Sequence, residues 1–511
     1  MHPTTHAAAR PDHPAIIMAA SGETVTFGEM EGYANRVAQL FRSRGLKAET
    51  GVVGLWLENR PEYLQIAWGN QRAGTTLVPI STHLTPDEVA YILEDSGATL
   101  LISSAQFGQR LEELKRLAPQ VEQLVFEGTP DAAAAIAAMP AEPIADQQVG
   151  LAMLYSSGTT GRPKGIKPAT PPDPDHMAVS PLLMLAAAAF GWPTDGSVTY
   201  LSPGPLYHAA PFRWTMTAHS LGGTVVVMEK FDPEAALAAI ERYRVTDSQW
   251  VPTHFVRMLK LPEEARTRYD LSTHARAIHA AAPCPVDVKH AMIDWWGPII
   301  LEYYAGSEGN GMTFANSAMW LEHPGSVGKP IRGIPHICDT DGNEVPVGEE
   351  GVIFFENEDQ FAYHNDPEKT AEATHANGWT TLGDIGKLDA DGYLYLTDRR
   401  SNMIISGGVN IYPQEVENLL IIHPAVSDAA VIGAPDPDMG ERVVAVVHPA
   451  DMASAGEALK AELLDYLGGK LARLKLPREI EFRAELPREA NGKLYKRKLK
   501  DEFRERAAQE A

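Results

Sequence analysis

The chain has 511 residues, 44% hydrophobic and 22% charged, which suits several folded cores and excludes a fibrous, low-complexity or wholly disordered protein. Its formal net charge of -23 opposes nucleic acid and anionic membrane surfaces unless a basic patch is concentrated locally. The two cysteines, Cys284 and Cys338, lie far apart without partners at metal-ligand spacing, so neither a disulfide framework nor a zinc site is indicated and a reducing cytoplasm fits.

Near the start, Asp12 and Pro14 stand where a signal peptide needs an apolar run. From about residue 50 to residue 310, short apolar runs alternate with longer amphipathic ones: a strand at 53–57, a helix at 61–73, a strand at 77–80, a helix from Pro86 and a strand at 99–102. That alternation predicts strand-helix units and a parallel sheet flanked by helices. The rhythm returns at 224–228, where Asp232 can cap a helix over 233–243 before a strand at 247–251. The longest apolar stretch, 182–192, is about half a membrane span, so a soluble protein is expected.

After about residue 330, Gly- and Asp-punctuated short strands, with turns at Asp341-Gly342 and Asp391-Gly392, predict an antiparallel, barrel-like portion. Beyond Arg399, strands at 429–432 and 443–447 and a helix over 458–474 predict a small α+β domain. The expected organisation is therefore α/β throughout: a large N-terminal domain over 1–400 and a small one over 401–511, with the boundary near 399–402. The Ala-rich stretch 131–138 and the Pro-rich stretch 167–175 are expected to be surface loops. The basic run 493–500 is open to two readings, a local anion patch or a solvated helix face.

A buried strand at 151–155 runs straight into Ser156-Ser157-Gly158-Thr159-Thr160-Gly161-Arg162-Pro163-Lys164-Gly165. Glycines let backbone N–H groups converge on an oxyanion, hydroxyls add donors and Lys164 adds charge, so the string can cradle an anion. It lacks the Gly-Lys-Ser/Thr of a Walker A loop. By composition alone it could equally be a flexible surface turn.

The whole string, however, resembles the signature of the adenylate-forming superfamily, which includes acyl-CoA synthetases, peptide-synthetase adenylation domains and firefly luciferases. Further motifs of that superfamily follow in order along nearly the whole chain, and the roles below are those the resemblance implies. Ser156, Thr159, Thr160, Gly161 and Lys164 would hold the phosphates. His208, in Leu206-Tyr207-His208, would lie beside the activated carboxylate. Ala280 and Ala281, in His279-Ala-Ala-Ala-Pro283, would lie against the acyl group and adenine. In Glu302-Tyr303-Tyr304-Ala305-Gly306-Ser307-Glu308, Tyr304 would stack on adenine, Ser307 would bond phosphate and Glu308 would hold magnesium, which needs few protein carboxylates. Asp384 and Arg399 would bind the ribose hydroxyls. Ser401 falls at the hinge position, where the family commonly has Asp or Lys. Gly407 and Gly408 would border the coenzyme A tunnel, and Lys493, in Pro487-Arg-Glu-Ala-Asn-Gly-Lys493, would enter the site for adenylation.

The implied activity is ATP-dependent acid–coenzyme A ligation through an acyl-adenylate. Alternatives are an adenylating enzyme that loads a carrier protein, and an inactive scaffold; the scaffold is disfavoured because no motif residue with a chemical role is replaced by an inert one. Trp250, Val251 and the segment 184–192 are candidate acyl-pocket walls, and their apolar character favours a fatty or aryl-alkanoic acid. Expected partners are that acid, ATP and coenzyme A, with no nucleic acid, no transmembrane segment and a homodimer as an open expectation.

Overall fold

Two mainly parallel sheets share a pair of helices between them in the computed structural model, which describes residues 2–156, 163–166, 173–178, 180–358, 361–488 and 494–510. The five-stranded sheet runs Glu122–Phe126, Leu100–Ser104, Val52–Trp56, Thr76–Pro79, Leu151–Ala152, every neighbour parallel. The nine-stranded sheet runs Lys329–Arg332, Met312–Asn316, Ile300–Ala305, Arg276–His279, Asp247–Trp250, Thr199–Ser202, Thr224–Val227, Pro14–Met18, Thr24–Thr26. Its centre is parallel and its outer strands are antiparallel.

The main core draws on both sheets and on the helices Phe27–Ser43 and Pro61–Ala73. Strands covered on both faces read as continuous apolar runs, as in Thr224–Val227, which is buried throughout. Two further clusters line the outer faces of the sheets under helices such as Pro86–Ser96 and Pro233–Tyr243. The latter helix follows its sequence signals closely: Asp232 accepts hydrogen bonds from the N–H groups of Glu234 and Ala235, and proline opens the first turn.

Three elements depart from the sequence expectation. The strand expected at 151–155 is divided: Leu151–Ala152 joins the five-stranded sheet, while Leu154–Ser156 pairs antiparallel with Lys164–Ile166. The N–H of Met153 still bonds Leu77 O, but the neighbouring Pro79 has no N–H with which to continue that ladder. The Ala-rich stretch is not a loop but the helix Ala132–Ala137, capped by Asp131 and burying Ala132 and Ile136; alanine is the best helix former. The helix expected over 458–474 ends earlier, as Glu457–Gly468 with Gly469 as its C-cap, since a glycine costs about 1 kcal/mol relative to alanine within a helix. The Pro-rich stretch lies largely outside the described residues.

The antiparallel portion is a four-stranded sheet in chain order, Ile334–Cys338, Gly351–Glu356, Thr380–Leu388 and Leu394–Arg399. After it, Ile404–Ser406, Val409–Ile411, Val426–Asp436, Gly440–Pro449 and Glu479–Phe482 form a separate sheet with its own cores. Lys260 Nζ reaches across to Ile421 O at 3.1 Å, and Ile421 and Ile422 pack against the core under the nine-stranded sheet. Two lysines of the basic run make structural contacts. Lys496 is buried 2.8 Å from Glu417 Oε1, and Lys500 Nζ donates to Ser401 O at 3.0 Å.

Candidate active site

In an open parallel sheet, ligands bind beyond the carboxyl ends of the strands. Here the adjacent strands Arg276–His279 and Ile300–Ala305 end side by side. The first runs into Ala280, buried in the same cluster as Leu206, Tyr207 and Tyr303, and then Ala281, whose φ of 78° is left-handed. For a residue with a Cβ that conformation costs about 1 kcal/mol.

The second strand delivers Tyr304, whose hydroxyl donates to Asp384 Oδ2 at 2.6 Å. Asp384 and Arg399 stand opposite each other in the register of their antiparallel strands, and Arg399 Nε lies 3.1 Å from Asp384 Oδ1. Tyr304, Asp384 and Arg399 thus form one connected group. Burial and the adjacent Asp384 push the Tyr304 phenol well above its usual range, and Asp384 raises Arg399. The phenol is therefore a fixed donor and the guanidinium a fixed cation.

Past Ala305 the backbone turns through Gly306, where a Cβ would stand 2.5 Å from Leu382 Cδ1 and 2.9 Å from Glu308 Oε2, so a larger residue would displace those two side-chain ends. Ser307 presents its carbonyl to Arg213 Nη2 at 3.3 Å. Glu308 Oε1 accepts from the hydroxyl of Tyr363 at 3.1 Å, and the ring of that tyrosine lies 5.3 Å from Lys164 Nζ. Burial, reinforced by Lys369, lowers the Lys164 ammonium below its usual range. A carboxylate offers about four lone-pair directions, so Glu308 keeps acceptor capacity beside its Tyr363 bond. That donor set fits magnesium, which takes one or two protein carboxylates and fills its shell with phosphate and water.

His208 is the N-cap of the helix Ala209–Ser220, with its ring centroid 4.5 Å from that of Tyr207. Gly407 and Gly408, at φ 58° and 80°, form the two-residue turn between Ile404–Ser406 and Val409–Ile411, a hairpin geometry that calls for left-handed residues at both positions. Trp250 turns into the core on the helix side of the nine-stranded sheet, beside Phe255 and Trp296, with Nε1 donating to Ser248 Oγ at 2.6 Å. That places it apart from the Ala280–Tyr303 cluster; Val251 caps the helix Pro252–Leu259. Thr159, Thr160, Gly161, Lys493 and the side chain of Ser156 lie outside the described residues.

Three residues escaped the sequence reading. Tyr363 and Arg213 sit in stretches with no Gly-rich or paired-charge pattern, and only the fold brings them to Glu308 and Ser307. Asp398, next to Arg399, accepts from Asn402 Nδ2 at 3.1 Å through Oδ1 and from Gln414 N at 3.0 Å through Oδ2. A carboxylate flanked by Arg399 in sequence was the available signal for it.

A tyrosine–aspartate–arginine group beside a glycine turn, a carboxylate with spare acceptor capacity and the strand lysine Lys164 make an α/β site suited to a phosphorylated nucleotide. The chain belongs to the AMP-binding enzymes, in the adenylate-forming acyl-CoA synthetase family: residues 4–361 match the AMP-binding enzyme model and residues 415–493 the AMP-binding enzyme C-terminal domain. It is an ATP-dependent, AMP-forming acid–thiol ligase, in a family whose CoA ligases use ATP, magnesium and coenzyme A. It is 33% identical over 486 residues to a feruloyl-CoA synthase of Amycolatopsis sp, covering 94% of each chain. It is also 32% identical to a fatty acid–[acyl-carrier-protein] ligase of Streptomyces coeruleorubidus, covering 98% of this chain and 95% of that one. Among solved structures it resembles the o-succinylbenzoate CoA synthetase of Bacillus subtilis in complex with its acyl-adenylate, with TM-score 0.80 and 27% identity over 98% of this chain and 97% of that one. Among the described residues no helix is long and apolar enough to cross a membrane.

Proposed function

We propose that the chain activates a hydrophobic, fatty or aryl-alkanoic, acid as its acyl-adenylate and transfers the acyl group to coenzyme A. The observation that carries this reading is the connected group Tyr304, Asp384 and Arg399 beside Glu308, which matches an adenosine with its phosphates directed towards Lys164. A carboxylate is a poor electrophile, and transfer to AMP supplies a better leaving group. In the first step the acid's oxygen attacks the α-phosphorus of ATP and pyrophosphate leaves. In the second the thiol of coenzyme A attacks the acyl carbonyl and AMP leaves.

Asp384 and Arg399 hold the ribose, Tyr304 and Ala281 flank adenine, and Ser307 faces phosphate. Ser156, Thr159, Thr160, Gly161 and Lys164 line the pyrophosphate side; Lys493 stabilises the charge that builds around phosphorus. This is positioning plus electrostatics. Glu308 would hold magnesium, which would neutralise phosphate charge there. Residues 1–400 are the adenylating body and 401–511 the mobile part, hinged near Ser401. Its rotation withdraws Lys493 and brings in Gly407 and Gly408 for thioester formation. The family matches at 4–361 and 415–493 support that division.

His208 and Ala280 border the acyl group, and an apolar wall is supported by Phe190, whose ring lies 4.9 Å from Trp214 and 6.0 Å from Tyr303. Val251 stays a candidate lining residue. The activities of the relatives, on an aromatic and on a fatty acid, agree with a hydrophobic substrate. Coenzyme A is favoured over a carrier protein because Gly407 and Gly408 suit a coenzyme A tunnel. Unpaired Cys284 and Cys338 support a cytoplasmic setting. A homodimer would give twice the chain's 55.6 kDa by light scattering.

The test is Lys493→Ala. Pyrophosphate release from acid and ATP is lost, while thioester formation from a supplied acyl-adenylate persists; equal loss of both steps refutes the division of labour. A pyrophosphate-release panel of carboxylic acids identifies the substrate, and failure to form a thioester with free coenzyme A would favour the carrier protein.

A further inference from the structure

We propose that Tyr363 is a positioning residue that ties the metal-binding carboxylate to the phosphate-side lysine, so that magnesium affinity depends on its hydroxyl. The inference rests on the reading of Glu308 as the metal's carboxylate. Tyr363 makes two different contacts with its two chemical halves. Its hydroxyl donates to Glu308 Oε1 at 3.1 Å, while its ring centroid lies 5.3 Å from Lys164 Nζ. The first engages an anion, read above as the magnesium carboxylate, and the second a cation, read above as the phosphate-side lysine.

The backbone around Tyr363 fixes where both halves point. Tyr363 bridges Ile166 in antiparallel fashion, and the N–H of His364 donates to Gly165 O at 2.7 Å. On the other side Tyr363 N donates to Thr370 Oγ1 at 3.0 Å. Gly165 admits this approach because a Cβ there would meet the Tyr155 ring at 3.0 Å and His364 Cβ at 3.2 Å. The tyrosine is thus fastened to the strand Lys164–Ile166 through its main chain and to Glu308 through its side chain.

A carboxylate that binds a hard cation through one oxygen is oriented by what holds the other. Removing such an outer-shell partner typically lowers metal affinity about 10- to 100-fold. Tyr363→Phe removes the hydroxyl and leaves the ring over Lys164, which separates the two contacts.

The experiment measures ATP binding to the full chain by titration calorimetry across a magnesium series, with metal-free AMP binding and the melting temperature as controls. For Tyr363→Phe the magnesium concentration at half-effect rises about 10- to 100-fold, while AMP affinity and melting stay as in the unaltered protein. Tyr363→Leu shows the same magnesium shift and also weakens ATP binding at saturating magnesium, through loss of the ring beside Lys164; it carries the test if the Phe variant does not melt cooperatively. Glu308→Gln separates this inference from the reading beneath it. A magnesium shift in Glu308→Gln with none in the Tyr363 variants overturns the role of Tyr363. No shift in Glu308→Gln overturns the assignment of Glu308, and the role of Tyr363 with it.

Discussion

Glu302 and Tyr304 lie on the same face of one strand, two residues apart, yet they serve opposite environments. Glu302 lies beneath the helix Val286–Trp296, in direct contact with Lys289 Nζ and 3.7 Å from His279 Nε2, with side-chain exposures of 0% to 5% for all three. Burial pushes its carboxyl up although Lys289 opposes this, and burial lowers His279 well below the usual imidazole range. Tyr304 instead bonds Asp384, and its group ends on Arg399, whose side chain is 38% exposed. The contrast teaches that accessibility divides the labour. The enclosed ion pair ties the helix Val286–Trp296 to the strand that carries Tyr304, with His279 of the neighbouring strand beside it, while the Tyr304–Asp384–Arg399 group reaches solvent at Arg399.

Breaking the enclosed pair gives the largest expected effect. Glu302→Ala strands the Lys289 ammonium in the core and lowers stability by about 3–5 kcal/mol, read as a shifted denaturant midpoint. The double change Lys289→Met with Glu302→Leu recovers most of that loss, since buried pairs are often replaceable by apolar residues. A single variant that costs nothing would erase the contrast. On the open side, Asp384→Asn weakens nucleotide binding by about 1.5–3 kcal/mol, the usual worth of a hydrogen bond to a charged group. Melting should barely change, and calorimetry with AMP measures the binding loss.

The enclosed side also has a pH signature. Burial holds His2, His254 and His274 at about 3 and His219 at about 4 against an ordinary value of 6.5. Their folded values are depressed, so the stability they contribute is complete above pH 6.5 and is lost as pH falls through about 4 for His219 and about 3 for the other three. Each histidine adds up to about 1.4 kcal/mol per pH unit to that slope, measurable as a denaturation midpoint followed from pH 7 to pH 5. His219→Gln should flatten the slope by one proton. The smallest effect is Ala281→Gly: relief of the left-handed strain outweighs the added unfolded-state entropy by about 0.5 kcal/mol, a rise of a degree or so in melting temperature.

Legibility in the sequence tracked how local each determinant is. Asp232 and Pro233 announce their helix within three residues, and the structure follows them. The division at Met153 depends on Pro79, a partner more than seventy residues away that no local pattern reveals. Asp384 and Arg399 were legible through family motifs, but their pairing across an antiparallel register needed the fold. Trp250 looked like a pocket wall because it is large and apolar; strand alternation, which turns it to the helix side with Ser248, decided otherwise. Tyr363 was illegible because its meaning lies in Glu308 and Lys164, each supplied by a different part of the chain.

Asp398 and Arg399 are consecutive on the strand Leu394–Arg399 and so project to opposite faces. Arg399 meets Asp384; Asp398 grips Asn402 and the first turn of the helix Pro413–Ile422. A single peptide unit therefore links the Tyr304–Asp384–Arg399 group to the start of the helix Pro413–Ile422, so one stretch of backbone sets the position of both ends of that link.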